Sequence, residues 1–255
     1  MRYIIITKRH IVVAVSLILS VAVFSVFSIS AMAKSSKKLP IYCVDTEEKK
    51  VALSFDAAWG NEDTEELIEI LDKYDIKATF FVVGGWVEKY PESVKALYDA
   101  GHDIGNHSST HPHMTKCSKE TIIKEVSDCN DKIQSVTGMA PTLFRAPYGD
   151  YNNNVIETLT EQNMYTIQWD VDSKDWMDGH TAENIYNDVM KKVKPGSIIL
   201  FHNAAVNTPE ALPRIIEKLK SEGYSFAKIA DLIYKDNYII DHAGKQIKTT
   251  NKESE

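Results

Sequence analysis

The stretch Val51–Val83, VALSFDAAWGNEDTEELIEILDKYDIKATFFVV, decides the fold. It opens with a short apolar run, Val51-Ala52-Leu53-Ser54-Phe55, that ends on Asp56. From Thr64 to Tyr74 the periodicity is helical, with Leu67, Ile70 and Leu71 on one face. Ala78–Val83 is β-branched and aromatic, a strand closed by Gly84-Gly85. Strand, helix and strand in one short stretch read as a single βαβ unit.

Outward from this unit the alternation continues. Pro91–Ala100 reads as a helix stopped by Gly101, and His102–Gly105 as the next strand. Ser118–Val136 is a long amphipathic helix, opened by Ser118 and closed at Gly138. Thr142–Phe144, Tyr165–Trp169, Ser197–Phe201 and Tyr224–Phe226 read as strands. Asn152–Gln162, Ala182–Val193, Pro209–Glu222 and Ile229–Tyr234 read as helices. About seven strand–helix repeats make this an α/β chain with a parallel sheet and helices outside it, either an open doubly wound sheet or a closed barrel. There is no repeat of fixed period and no glycine-rich phosphate loop, which disfavours a dinucleotide site.

The chain has 255 residues, enough for one such domain with a sizeable core. Residues 1–33 stand apart. Lys8, Arg9 and His10 precede an uncharged run from Ile11 to Ala33 that ends in Ala31-Met32-Ala33. This resembles a secretory signal with a small-residue cleavage site, yet the run is also long enough to span a bilayer as an uncleaved anchor. Lysines on both sides (Lys8; Lys34, Lys37, Lys38) leave the orientation rule undecided. Either reading puts the remainder outside the cytoplasmic membrane. Residues 34–49 are a linker and lead-in, 50–234 the main domain, and 235–255 a polar tail expected to be loosely ordered. Without residues 1–33 the formal charge goes from −7 to −10. An acidic domain lacks the basic face that nucleic acids require. Cys43, Cys117 and Cys129 are odd in number and lack paired zinc spacing, so they read as structural or free thiols.

In parallel α/β folds, active residues gather at the C-terminal ends of strands. Here Asp56, His107, Arg145, Asp170 with Asp172, and His202 each follow one of five strands. Each alone has an ordinary explanation as a cap or a satisfied core group, but five at one sheet edge point to a site. His107 and His111 can reach one metal ion only if the chain between them turns, since a strand would hold them roughly 13 Å apart. Ser108-Ser109-Thr110 suits a capped helical turn that would stack the two imidazoles.

Five segments carry a family resemblance: Ser54-Phe55-Asp56, His107–His111, Arg145-Ala-Pro147-Tyr148-Gly149, Asp172-Ser-Lys-Asp175-Trp176 and Leu200-Phe-His202. In order and spacing they resemble the motifs of the polysaccharide deacetylases, carbohydrate esterase family four with its NodB homology domain. The resemblance runs from about Lys50 to Tyr234. Phe55-Asp-Ala-Ala-Trp59-Gly60 and Pro147–Asn152 are most similar to the sporulation-associated branch. The resemblance implies a distorted (β/α) barrel with fewer complete units than eight. It implies removal of acetyl groups from N-acetylated sugars in peptidoglycan or a chitin-like glycan by an extracytoplasmic, monomeric enzyme, in the spore envelope for that branch. His107 and His111 would hold a divalent metal, usually zinc, which polarises the acetyl carbonyl. Asp56 would be the base, held by Arg145. His202 would be the acid, oriented by Asp172 in preference to Asp175. The Tyr148 backbone N–H would help hold the oxyanion, and Trp176 and Leu200 would wall the acetyl pocket.

One position departs from the pattern. Where the family usually carries a second aspartate as third metal ligand, this chain has Ala57. Water, or a polar group such as Asn61 or Asp63, would have to take its place. Otherwise the domain is a catalytically impaired glycan binder on the same fold.

Overall fold

The computed structural model describes residues 37–249, so the readings made for residues 1–33 lie outside the described residues. The core is a parallel sheet of seven strands in the order sixth, fifth, fourth, third, second, eighth, seventh along the chain. Its strands are β2 (Lys50–Ala57), β3 (Thr79–Val82), β4 (Asp103–Asn106), β5 (Leu143–Phe144), β6 (Tyr165–Thr166), β7 (Val171–Asp172) and β8 (Ile198–His202). A short β9 (Ser225–Phe226) pairs with the start of β2. The connecting helices are α1 (Thr64–Lys73), α2 (Gly84–Lys89), α3 (Pro91–Asp99), α4 (Lys119–Thr137), α5 (Asn153–Glu161), α6 (Ala182–Met190), α7 (Thr208–Ser221) and α8 (Ile229–Leu232). This is the distorted (β/α) barrel that the resemblance implies, and it decides between the two architectures that the strand–helix alternation left open.

Strand periodicity separates two environments. Along β2, Val51, Leu53, Phe55 and Ala57 belong to the large apolar cluster that also takes in Leu67 and Leu71 of α1 and Ile215 and Leu219 of α7. Ser54 and Asp56 alternate with them and both bond Arg145, on the other face. Phe55 stacks between Phe80 and Phe201 of the adjoining strands, which fixes the middle of the sheet.

The open side between β6 and β7 is closed by the lead-in segment. Ile41 pairs with Ile167 in parallel, and Cys43 pairs with Ser197 antiparallel. Val44 donates its N–H to the Gly196 carbonyl at 2.9 Å. Gly196 has φ of +80°, and a β-carbon there would lie 1.9 Å from the Val44 oxygen, so the closure requires glycine.

Three elements differ from the sequence reading. The tail expected to be loosely ordered instead forms β10 (Tyr238–Ile240) and β11 (Lys245–Lys248), an antiparallel pair that lies beside β1 (Cys43–Val44). Its partner is about two hundred residues distant, which no local pattern reveals. Gly84-Gly85, read as a strand stop, begins α2, because the Gly84 and Gly85 N–H groups find the Ser108 and Ser109 carbonyls. The histidine segment is not a helical turn: Ser108 and His111 adopt left-handed φ of +67° and +61°.

Candidate active site

Strand register brings the site together. Asp56 of β2 is paired in register with His202 of β8, so the two side chains leave neighbouring strands on one face. His107 follows β4 and donates its backbone N–H to the Val82 carbonyl; Arg145 follows β5 and donates its N–H to the Asn106 carbonyl. All four therefore stand at the C-terminal edge of one sheet.

Arg145 is fully buried and ties two parts of the site together. One guanidinium nitrogen donates to Asp56 Oδ1 at 2.7 Å, and the other to Ser54 Oγ at 2.9 Å and the Gln168 carbonyl at 3.2 Å. The cation also lies over the Phe81 ring, 4.2 Å from its centroid. Burial alone would raise the Asp56 pKa, but the charges of Arg145, His107 and His202 outweigh it and hold the carboxyl below its usual range. Asp56 is thus a carboxylate at neutral pH, with Oδ2 turned to His107 Nε2 at 3.5 Å.

The Arg145 carbonyl lies 2.8 Å from His107 Nδ1. A carbonyl only accepts, so that nitrogen carries the hydrogen and Nε2 keeps its lone pair. Burial lowers the His107 pKa, and it lowers that of His111 to about 4, so both rings are neutral. Their centroids are 5.0 Å apart. Two neutral imidazoles, one with its tautomer set by a carbonyl, suit a divalent ion of zinc's type. Among the described residues no third side-chain donor joins them in a metal-holding group. Ala57 is buried in the apolar, helix-facing cluster, on the face opposite Asp56. Asp63 accepts the Ala204 N–H at 2.8 Å, and Asn61 donates to Ser93 Oγ at 3.0 Å. Neither makes up for Ala57. Among the described residues no three His, Cys, Asp or Glu side chains are grouped to hold an ion.

The turn that presents the two imidazoles is built by α4. Ser118 caps that helix by accepting the Thr121 N–H, and Gly138 ends it with φ of +79°. Ile122, Val126, Cys129 and Ile133 bury one face. Glu125 reaches the turn and accepts the Ser109 N–H at 2.9 Å, the Thr110 N–H at 2.8 Å and the Thr110 hydroxyl at 2.7 Å. Asn106 Oδ1 accepts the Ser108 N–H at 2.7 Å, while its amide nitrogen donates to Val126 and Asn130 of α4. The sequence reading missed Glu125; its signal there is only a helical glutamate fourteen residues after His111.

His202 corrects the expected partner. Asp175, not Asp172, lies 2.8 Å from its Nδ1. The second Asp175 oxygen accepts the His202 N–H at 2.8 Å and the Thr208 hydroxyl at 2.7 Å. Asp172 ends β7 and accepts the Lys174 N–H at 2.8 Å in a tight turn. Lys174, at φ of +56°, then swings Asp175 back under His202. Burial would lower the His202 pKa, but the bond and charge of Asp175, with Asp56 and Asp172 behind, raise it above its ordinary value.

The mouth is a groove of about 830 Å3 lined by Asp56, His107, His111, His202, Leu200, Tyr148 and Trp176 among others. Leu200 is buried in its wall, and Trp176 is more than half exposed. Tyr148, at φ of +59°, packs edge-on to His111 and flat on His113, with centroids 4.6 and 4.4 Å away. Trp59, which the sequence reading did not place in the site, also lines the groove.

Barrel and strand-edge site together define an α/β protein whose functional groups gather at the C-terminal ends of its strands. The chain belongs to the polysaccharide deacetylase family, whose members act on N-acetyl amide bonds: the family model "Polysaccharide deacetylase" matches residues 44–167. It is 35% identical over 187 residues to a peptidoglycan-N-acetylglucosamine deacetylase of Bacillus cereus, covering 72% of this chain and 68% of that protein. It is likewise 35% identical over 189 residues to the peptidoglycan-N-acetylmuramic acid deacetylase PdaC of Bacillus subtilis, covering 74% of this chain and 40% of that one. Among solved structures it resembles wild-type BA3943 of Bacillus anthracis, described as a CE4 family pseudoenzyme, with a TM-score of 0.73 and 34% identity over 83% of this chain and 73% of that one. A mutant of BA3943 is described as having restored enzymatic activity. The chain spans between 40% and 74% of the length of the first curated relatives it matches.

Proposed function

We propose that this chain removes acetyl groups from N-acetylated sugars of cell-wall peptidoglycan. One observation carries the reading: Asp56 and His202 face each other from paired strands with their pKa values pushed in opposite directions. Such a pair assigns base and acid. Asp56, kept ionised by Arg145, takes a proton from the attacking water. His202, its pKa raised by Asp175, gives one to the departing sugar amine. Leu200 and Trp176 would flank the acetyl group, and the Tyr148 backbone N–H would meet the developing oxyanion. His107 and His111 would hold a divalent ion, zinc by the character of its imidazole donors, with water in place of a third side chain; bound there it would polarise the acetyl carbonyl. The spore envelope as location, residues 11–33 as signal or anchor, and a monomeric state complete the proposal. They rest on the motif resemblance and on the N-terminal sequence.

The second reading is a glycan binder without activity. Ala57 and the likeness to a protein described as a pseudoenzyme favour it. Acetate release from peptidoglycan, measured with and without added divalent ions, separates the two. The enzyme reading expects acetate from the wild type and none from Asp56→Asn, with zinc content unchanged in that variant. Retained glycan binding with no acetate under any metal overturns it.

A further inference from the structure

Trp59 has no role in the chemistry just described, yet it stands between the site's two halves. Its ring centroid is 6.2 Å from that of His111 and 6.1 Å from that of His202. More than half of its surface is exposed. A large aromatic ring held open to solvent at the mouth of a polar groove calls for a ligand, since its burial against one is favourable.

The loop under Trp59 is braced from both sides. Asn203 accepts the Ala58 N–H at 3.1 Å and donates its amide to the Gly60 carbonyl. The Trp86 indole donates to the same carbonyl at 2.9 Å. The Asn203 N–H donates to the Asp56 carbonyl at 3.1 Å, and Asp63 holds the next N–H, that of Ala204. Trp59 therefore sits on a fixed turn whose ends are tied to Asp56 and to the residues after His202. Trp176 and Met177, also exposed, line the same groove.

We infer that Trp59 is the stacking surface for the pyranose ring that bears the reacting acetamide. Sugar rings present a face of C–H groups that packs flat on an indole. The amide carbon is two bonds from the ring carbon that carries it, about 2.4 Å away. A ring resting on Trp59 thus holds that carbon over the space bounded by His111, His202 and Asp56. Such a platform positions the sugar and contributes mainly to binding.

This inference rests on the deacetylase reading for its substrate, and a binding measurement separates the two. Titration calorimetry of the full-length chain with a tetramer of β-1,4-linked N-acetylglucosamine is expected to give a Kd about tenfold weaker for Trp59→Ala, with Trp59→Phe recovering most of the loss. In acetate release the Trp59→Ala defect is expected to fall on KM more than on kcat. Unchanged thermal unfolding confirms that the exposed variant folds. A wild type that binds and a Trp59→Ala that binds equally well overturns the role of Trp59 alone. A wild type that binds the tetramer without releasing acetate, with the tenfold loss in Trp59→Ala, overturns the deacetylase reading and leaves the platform standing. A wild type that does neither overturns both.

Discussion

At the scale of single residues, the site works by opposed surroundings for similar groups. Asp56 and Asp175 both serve histidines, but Asp56 also has a buried arginine on its other oxygen, while Asp175 is bonded by the backbone and hydroxyl around His202. The raised His202 pKa has a direct consequence. An acid that must be protonated works below its pKa, so activity is expected to hold past pH 6.5 and fall as pH rises through the raised value. Asp175→Asn removes the main raising influence. Its pH–rate profile is expected to lose the alkaline limb's position, shifting it toward lower pH, with a drop in kcat of about a hundredfold. An unshifted limb in that variant would assign the titration to another group. The identity of this aspartate was only half legible. The motif narrows it to Asp172 or Asp175, but the left-handed Lys174 that reverses the chain leaves no mark in composition or periodicity.

At the scale of elements, helices and strands were legible where burial is one-sided. Ile122, Val126, Cys129 and Ile133 betray α4, and Ala78–Val83 betrays β3. The irregular segments were not, because their shape is imposed by distant partners. The His107–His111 turn has two left-handed residues that it would not choose alone; α4 imposes them through Glu125 and Asn106. One Glu125 oxygen serves two backbone N–H groups and the other the Thr110 hydroxyl. Glu125→Ala leaves those N–H groups without their acceptor and is expected to cost about 1–3 kcal/mol of stability. Because the turn carries both imidazoles, zinc affinity is expected to weaken about tenfold. Chemical denaturation and zinc titration of the variant check the two effects, and loss of the first without the second would make Glu125 a purely structural group. Gly105 shows the same dependence in the sheet: a β-carbon there would lie 2.6 Å from the Phe81 ring that supports Arg145.

At the scale of the whole molecule, acid sensitivity has an identifiable contributor away from the groove. His102, at the start of β4, is buried and accepts the Ala78 N–H on Nδ1 at 3.1 Å, which leaves its Nε2 hydrogen without a partner among the described residues. Burial lowers its pKa to about 4, with Lys77 adding to the effect. A lowered folded-state value means that its contribution is complete above pH 6.5 and is lost as pH falls toward 4. The loss is on the order of 3 kcal/mol. His102→Asn keeps an acceptor for Ala78 and cannot titrate, so its thermal midpoint is expected to fall less than the wild type's between pH 6.5 and 4. Equal slopes would remove His102 as the cause. Overall architecture was the most legible feature of the sequence, since repeated strand–helix units have few solutions. The closure was the least legible, since Cys43 pairs with Ser197 and with Lys245 far along the chain.

That closure sets a timetable. The first described strand fills the seam against residues 167 and 196–197, but its other neighbour lies some two hundred residues further along, so its pairing is complete only after residue 246 has been delivered. Everything before that moment is a chain with its longest-range contacts unmade and its sheet edge open.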